Sequence, residues 1–156
     1  MKIKAELDEN KKLLDYWVRY HQKIVKSLDS VTNNKIFIQR FIADNKEIRN
    51  IFTRGTIMSD MPASDAWEIA KSHPLIVNFQ YDELLLLSKI YKQQKGTYTS
   101  LLNMIEVLLS PNSNTKENAV SNVQYLKNQL EDFTSKELQL VRYYEEGEVL
   151  LKYEGL

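Results

Sequence analysis

The stretch at residues 3–31 reads IKAELDENKKLLDYWVRYHQKIVKSLDSV. Every third or fourth residue falls on one stripe, a spacing typical of a helix packed in a bundle or coiled coil. The stripe contains Ile3, Leu7, Asn10, Leu14, Trp17, His21, Ile24, Leu28 and Val31, and it is widened by Leu13, Val18, Tyr20 and Val25. We therefore predict an amphipathic helix over residues 3–28. Asn10 is a candidate for setting its register, at some cost in stability.

A second stripe of the same spacing occupies the C-terminal part of the chain. Its members are Ala119, Val123, Leu126, Leu130, Phe133, Glu137, Leu140 and Tyr144. It predicts a helix over residues 115–153. Asn114 and Glu117 have the spacing of a capping box at its start, and Gly155 is suited to its end.

The central segment predicts a long helix over residues 79–109. The run Leu84–Leu87 makes this helix apolar nearly all round, which favours a central position in the fold. Gly96 lies in the middle of the segment and marks a kink or a close approach of another helix. Ser110-Pro111-Asn112 is expected to end the helix.

The connections are less regular. Residues 29–34, DSVTNN, favour a break because their side chains compete for backbone hydrogen bonds. A second helix then covers residues 34–53, and the alternative is one continuous helix to residue 53. Residues 55–62 predict a loop.

A short helix is predicted after that loop, over residues 65–72. Ser64 or Asp65 caps it, and Asp65 with Glu68 has capping-box spacing. Pro74 is expected to end it, because the residue before a proline avoids helical geometry.

These segments predict an all-α fold, a mainly antiparallel bundle of four to five helices. The 156 residues have the length of one domain, spanning 1–156. Only four glycines and three prolines interrupt the chain, which favours long helices over a many-turned β fold.

Charge is balanced overall but uneven along the chain. Residues 1–54 hold 12 basic and 7 acidic groups, whereas residues 112–156 hold 5 and 8. We expect these two oppositely charged parts to pack side by side. No concentrated basic face is present, so nucleic acid is not an expected partner.

Composition excludes several classes of site. The chain has no cysteine, which rules out disulfides, thiolate catalysis and zinc–thiolate sites. It contains no run of 18 apolar residues and no hydrophobic signal region near Met1. The protein is therefore expected to be cytoplasmic, or to follow a targeting or anchoring segment that precedes Met1.

Two parts of the chain resemble a known group. They are residues 4–14, KAELDENKKLL, and residues 64–95, in which SDAWEIAKS is followed by LLLLSKIY. Together they resemble the soluble helical part of an uncharacterised family of bacterial single-pass membrane proteins. In that family an N-terminal transmembrane helix leads into a Glu-Leu-x-Glu-Asn-like helix, then an Ala-Trp-Glu-x-Ala-Lys-like helix. His73-Pro74 departs from the small residues more usual there.

The resemblance implies a location rather than an activity. It places the domain outside the cytoplasmic membrane, held by a segment N-terminal to Met1. It implies no catalytic residue, metal or cofactor.

Both histidines are candidates for chemistry, although neither has diagnostic neighbours. His21 lies on the first stripe without a second ligand three or four residues away, so we interpret it as a buried, hydrogen-bonded histidine. His73 precedes Pro74 and is interpreted as a turn residue. A catalytic role for His73 would need Asp65 or Asp82 nearby in space.

Three further groups have a structural and a functional interpretation. Trp67 with Phe79, Tyr81 and Tyr91 is interpreted as core, with a small-molecule pocket as the alternative. The acidic run Glu145, Glu146 and Glu148 is interpreted as a solvated face rather than a cation site. The C-terminal aromatic end is either core or a partner surface; it comprises Tyr143, Tyr144, Tyr153 and Leu156.

The first functional hypothesis is a non-enzymatic interaction or sensing domain on the extracytoplasmic face of a bacterial membrane. It has no catalytic, cofactor-binding or metal-binding residues, and its partner is a protein or a second copy. The second hypothesis is a cytoplasmic helical adaptor that self-associates through the stripes at 3–31 and 119–144. The least favoured is a small hydrolase or lyase that uses His73 with Asp65 or Asp82.

Overall fold

The amphipathic segments form four α-helices in the computed structural model, which describes residues 2–33, 50–114 and 118–153. No strand occurs in these ranges. The long helix α4 packs against both α1 and α3, which confirms the all-α bundle. The helices are α1 (Lys2–Asn33), α2 (Asp65–Ser72), α3 (Tyr81–Leu109) and α4 (Ala119–Tyr153), with short 3-10 helices at Pro74–Asn78 and Pro111–Asn114.

Both long neighbours of α4 run antiparallel to it. Residue numbers fall along α4 as they rise along α1 and α3, as shown by the facing pairs Lys11–Glu148, His21–Glu137, Asp29–Lys127, Gln94–Tyr144 and Tyr98–Phe133. The helices α1 and α3 are consequently parallel to each other. Lys11 Nζ lies 3.5 Å from carboxylate oxygens of both Glu145 and Glu148. This contact joins basic and acidic parts of the chain as expected.

The two stripes predicted from the sequence form the interface between α1 and α4. All members of both stripes are buried, apart from the end residues Val31 and Ala119, whose side chains are not among those described. Burying a leucine, isoleucine or phenylalanine side chain contributes about 1.5–3 kcal/mol relative to leaving it exposed. The apolar stripes therefore supply a main source of the stability of this helix pair.

Helix α1 continues five residues beyond its predicted end at residue 28. Leu28 is fully buried, and Asp29 pairs with Lys127 of α4 at 2.5 Å. These tertiary contacts outweigh the local tendency of residues 29–33 to leave the helix. Residues 34–49, which include most of the predicted second helix, lie outside the described residues. Asn50 and Ile51 are helical, and the chain leaves the helix at Phe52.

The predicted loop at residues 55–62 is confirmed as irregular backbone. Gly55 has a φ of 71°, a left-handed conformation that glycine adopts without steric cost. Its N–H donates to the carbonyl of Phe52 at 2.8 Å. The chain then continues without regular structure to Ser64.

Helix α2 occupies the predicted residues, but its predicted capping box is wrong. Ser64 is the N-cap and makes no side-chain capping bond. The Ala66 N–H instead donates to Glu6 Oε2 of α1 at 2.8 Å. A carboxylate from another helix thus supplies the acceptor and the negative charge that a helix N-terminus favours. The helix ends at Ser72, and His73 before Pro74 is extended, as predicted.

Helix α3 begins two residues later than predicted, at a capping interaction that the sequence analysis missed. The Gln80 N–H donates to the carboxylate of Glu83 at 2.9 Å. The helix ends at Leu109, before Ser110-Pro111, as expected. Of the two alternatives predicted for Gly96, a kink or a close approach of another helix, the close approach is wrong, because a Cβ added there would meet no atom within 4 Å.

The close helix approach is at Gly147 of α4 instead. A Cβ added at Gly147 would lie 3.0 Å from the Cδ1 atoms of Leu7 and Ile90. Three helices therefore meet at this glycine. The predicted capping box at the start of α4 includes Glu117, which lies outside the described residues. None of the described helices combines the length and apolarity that crossing a bilayer requires.

Candidate functional site: a polar core beneath an irregular strap

The irregular chain that follows Ile51 and precedes α2 lies on the bundle. We define the strap as residues 54–64, which precede α2. Backbone groups of the strap are not paired by a helix or sheet ladder, so they need other partners wherever they are buried. Polar side chains from the interior of the bundle supply these partners in two layers.

The first, which we term the Asn10 layer, is built from neutral amides and a hydroxyl. The Asn10 side chain makes two 2.7 Å bonds with Ala63, donating to its carbonyl and accepting from its N–H. Gln94 Nε2 lies 3.0 Å from the carbonyls of both Pro62 and Ala63. The Tyr144 hydroxyl donates to Gln94 Oε1 at 2.7 Å. The strap is thereby bonded to α1 and α3, and through Gln94 to α4.

Glu6 extends this layer towards the start of α1. Its Oε2 accepts the bond from Ala66 N–H, and its Oε1 accepts a 2.6 Å bond from the Tyr91 hydroxyl. Burial raises the pKa of Tyr91, and the bond to Glu6 raises it further. Both carboxylate oxygens of this nearly buried acid therefore have a donor.

The second, the His21 layer, lies about three turns beyond Asn10 along α1. His21 Nδ1 is 2.7 Å from Glu137 Oε2, and Nε2 donates to the carbonyl of Ile57 at 2.9 Å. Both side chains are fully buried. The imidazole is stacked on the ring of Trp17, with 5.9 Å between the ring centres, and makes an edge-type contact with the ring of Phe133 at 5.3 Å. Burial raises the pKa of Glu137, and the bond to His21 opposes this rise.

Several buried polar atoms near this layer have no hydrogen-bond partner among the described residues. They belong to α1, α3 and α4, and in the described residues they include Trp17 Nε1, Thr97 Oγ1, Tyr98 OH and Glu137 Oε1. Burial raises the pKa of Tyr98, and the nearby Glu137 carboxyl adds to this rise. The His21 layer is therefore less completely hydrogen-bonded than the Asn10 layer. Each unsatisfied buried polar group lowers the stability of the fold by about 1–3 kcal/mol.

Tyr20 and Arg54 hold the start of the strap. The Tyr20 hydroxyl donates to the Thr56 carbonyl at 2.9 Å. The Arg54 guanidinium lies 3.7 Å from the centre of the Tyr16 ring, within the range of a cation–π interaction. Burial raises the pKa of Tyr20, whereas Arg54 lowers it.

The two histidines occupy opposite environments. The interpretation of His21 as a buried, hydrogen-bonded residue is confirmed. His73 lies in the exposed turn after α2, where its backbone N–H donates to the Ala70 carbonyl at 3.1 Å. Asp65 and Asp82, the acids considered with His73, are also on the surface.

The predicted aromatic cluster is only partly core. Trp67 and Tyr91 are buried with their rings stacked 5.6 Å apart and nearly parallel, as expected for core residues. Phe79 is half-buried. The core interpretation is wrong for Tyr81, whose exposed fraction is 76%.

The acidic run and the C-terminal tyrosines divide in a similar way. Glu145 and Glu146 are exposed, as a solvated face requires, but Glu148 is half-buried beside Lys11. Tyr144 is fully buried, so it belongs to the core. The side chain of Tyr153 and all of Leu156 lie outside the described residues.

No group of three or more His, Asp or Glu side chains is arranged to hold a metal ion in the ranges 2–33, 50–114 and 118–153. No protein-family model, no curated protein and no solved structure matches this chain.

Sequence reasoning found His21 and Asn10 but missed their partners. Asn10 and His21 both bond backbone groups of the strap, and the periodicity of side chains does not predict contacts with backbone groups. Glu137 lies on the second stripe, and its spacing alone assigns it no role. One pattern in the sequence could have predicted this pair. His21 and Glu137 are polar residues in two mainly apolar stripes, and a pairing of the two stripes can place them opposite each other.

Proposed function

We propose that this chain is a non-enzymatic interaction or sensing domain, held on the outer face of a bacterial membrane by a segment N-terminal to Met1. The observation that supports this proposal best is a set of exposed apolar side chains at one end of the bundle. We term it the apolar end group, and it consists of Ile69, Val77, Tyr81 and Leu85, whose exposed fractions are 62%, 81%, 76% and 58%.

The apolar end group lies at the end of the bundle where α1 begins. The Tyr91 hydroxyl bonds Glu6, and α3 runs parallel to α1. Tyr81 precedes Tyr91 by ten residues, or about 15 Å of helix at 1.5 Å per residue. The first turns of α3 therefore extend to or beyond the level of Lys2. Helix α2 starts at the same end, because Ala66 also bonds Glu6.

The chemistry of this group suits a water–lipid boundary. Tyr81 and Leu85 are four residues apart in α3, so they share a helix face. Exposed apolar groups of this kind mark interaction sites, and tyrosine is enriched at the membrane interface. A membrane segment leading into Lys2 would bring this end of the bundle against the bilayer. We therefore assign the bilayer surface as the occupant of the apolar end group.

Membrane contact can be tested with a single cysteine, since the chain has none of its own. The chain is tethered by its N-terminus to vesicles and carries an environment-sensitive fluorophore at Val77→Cys. We expect blue-shifted emission and quenching by brominated lipids. The matched control is Leu138→Cys on α4, next to Glu137 and so about 20 Å further from the membrane. Equal emission and equal lack of quenching at the two sites would contradict bilayer contact.

The membrane anchor itself has an independent test. It requires a stretch of about 20 apolar residues encoded directly before Met1. Finding that stretch in the reading frame supports the anchor. Its absence would remove the membrane location and favour the cytoplasmic adaptor.

The adaptor hypothesis needs a different surface from the one the sequence suggested. The stripes of α1 and α4 pack on each other within one chain, so self-association through them would require the bundle to open. We therefore expect light scattering at micromolar concentration to give a monomer. A dimer would favour the adaptor.

A further inference from the structure

The contacts of His21 determine how many protons its layer holds. The Ile57 carbonyl can only accept a hydrogen bond, so His21 Nε2 must carry a hydrogen. A neutral histidine then has no hydrogen on Nδ1. The 2.7 Å contact between Nδ1 and Glu137 Oε2 nevertheless needs a hydrogen between them. This hydrogen belongs to either an imidazolium or a protonated carboxyl.

Both arrangements contain the same number of protons. The pair holds one proton more than a neutral histidine beside an ionised glutamate. Burial favours placing this proton on Glu137, because it raises the pKa of that carboxyl. No donor among the described residues stabilises a charge on Oε1. Loss of the shared proton would leave a fully buried carboxylate facing the lone pair of Nδ1, which is repulsive.

We propose that His21 and Glu137 form a proton-dependent latch that fastens the strap at Ile57 and releases it as the pH rises. Met58 follows Ile57 in the strap. Its side chain is buried while the strap is fastened, and it becomes accessible when the strap is released. The attachments at Pro62 and Ala63 use the side-chain amides of Asn10 and Gln94, which do not titrate. Release is therefore confined to the first half of the strap. This inference goes beyond the proposed function and does not depend on the membrane.

Other groups that face the pair keep their charge in the relevant range. Tyr98 approaches from α3 and Tyr20 lies one residue from His21 in α1, and burial raises the pKa of both hydroxyls, so both remain neutral. On the strap, Arg54 lies over the rings of Trp17 and Tyr20 and stays positive at all pH values considered. Among these groups only the pair itself changes its proton content.

The direction of the pH effect follows from proton counts. In the released strap both side chains are hydrated, with ordinary pKa values of about 6.5 for histidine and 4.3 for glutamate. Between these values the latched and released states each hold one proton, so release is independent of pH. Above about pH 6.5 the released state loses its proton and the latched state keeps it. The equilibrium constant for release then rises about tenfold per pH unit.

The test measures access to Met58→Cys with a thiol reagent between pH 5.5 and 9. Its labelling rate is divided by that of the exposed Ser135→Cys, which removes the ordinary effect of pH on thiol reactivity. We expect a constant ratio up to about pH 6.5 and an increase approaching tenfold per unit above it. Leu87→Cys, buried in α3 away from the strap, reports opening of the whole bundle and should not show this increase.

The matched variant is Glu137→Gln. A glutamine amide can donate to Nδ1 without an additional proton, so the latch stays closed and the Met58→Cys ratio should be independent of pH. The same slope in Glu137→Gln and in the native pair would overturn the proposal, as would a flat ratio in the native pair. If Glu137→Gln does not fold, the comparison of Met58→Cys with Leu87→Cys still decides, since equal slopes at both sites would mean general unfolding.

Discussion

The Asn10 layer and the His21 layer hold the same strap in different ways. In the Asn10 layer, the neutral amides of Asn10 and Gln94 bond the backbone, and the carboxylate of Glu6 receives two donors. In the His21 layer, one shared proton joins an acid and a histidine, and several polar atoms nearby have no partner in the described part of the chain. The first layer is therefore suited to permanent attachment. The second can be broken by a change of one proton.

The largest expected effect comes from removing one member of the pair. His21→Leu leaves Glu137 buried without its partner and should lower the free energy of unfolding at pH 7 by about 3–5 kcal/mol. Chemical denaturation measures this change. The double variant His21→Leu, Glu137→Leu should recover most of the loss, because two apolar side chains can replace a buried pair. A loss below about 1 kcal/mol in the single variant would show that the pair is not a stabilising element.

Buried tyrosines from both layers predict a steep loss of stability in alkali. Burial raises the pKa of Tyr91, Tyr98 and Tyr144, so the folded chain keeps three protons that the unfolded chain releases above about pH 10. Stability should therefore fall as the pH rises through 10, by about 4 kcal/mol at pH 11. Denaturation at a series of pH values tests this, and Tyr98→Phe should reduce the slope by about a third. A pH-independent stability from 9 to 11.5 would contradict the burial of these hydroxyls.

Two Tyr→Phe substitutions compare the layers directly. Tyr144→Phe removes the donor to Gln94 Oε1 and should cost about 1–3 kcal/mol, because that oxygen is left buried without a partner. Tyr98→Phe removes a hydroxyl that has no partner in residues 2–33, 50–114 and 118–153, and it should be neutral or slightly stabilising. The free energy of unfolding of each variant at pH 7 is the measurement. Equal costs would mean that the two layers are equally well bonded.

The long helices and their buried faces were predictable because they follow from local spacing. Apolar residues at steps of three and four place the α1–α4 interface correctly, and Pro74 and Ser110-Pro111 mark helix ends through their own backbone restrictions. The end of α1 was wrong because an ion pair with Lys127 and the burial of Leu28 are long-range effects. The local sequence of residues 29–33 does not indicate either of these effects.

The polar core was only half predictable. In an antiparallel pair the residue numbers of facing positions have a nearly constant sum, and Lys11–Glu148, His21–Glu137 and Asp29–Lys127 agree within three. Placing the polar His21 opposite the polar Glu137 would therefore have predicted the register of α1 against α4. Asn10 and Gln94 bond backbone atoms of the strap, and backbone atoms are the same for every residue type. Their partners could not be read from side-chain identity.

The smallest effects concern the packing beside the Asn10 layer, where two glycines should respond in opposite ways. Gly96→Ala is expected to stabilise the chain by about 1 kcal/mol, since alanine favours the helix and its Cβ meets no atom. At Gly147 the same gain is opposed by contacts of 3.0 Å with Leu7 and Ile90, which are both fully buried and have little room to move. Overpacking of this kind costs about 1–3 kcal/mol, so Gly147→Ala should be destabilising by about 1 kcal/mol overall. Thermal unfolding of the two variants measures the contrast. If both alanines stabilise the chain equally, the three helices are not closely packed at Gly147.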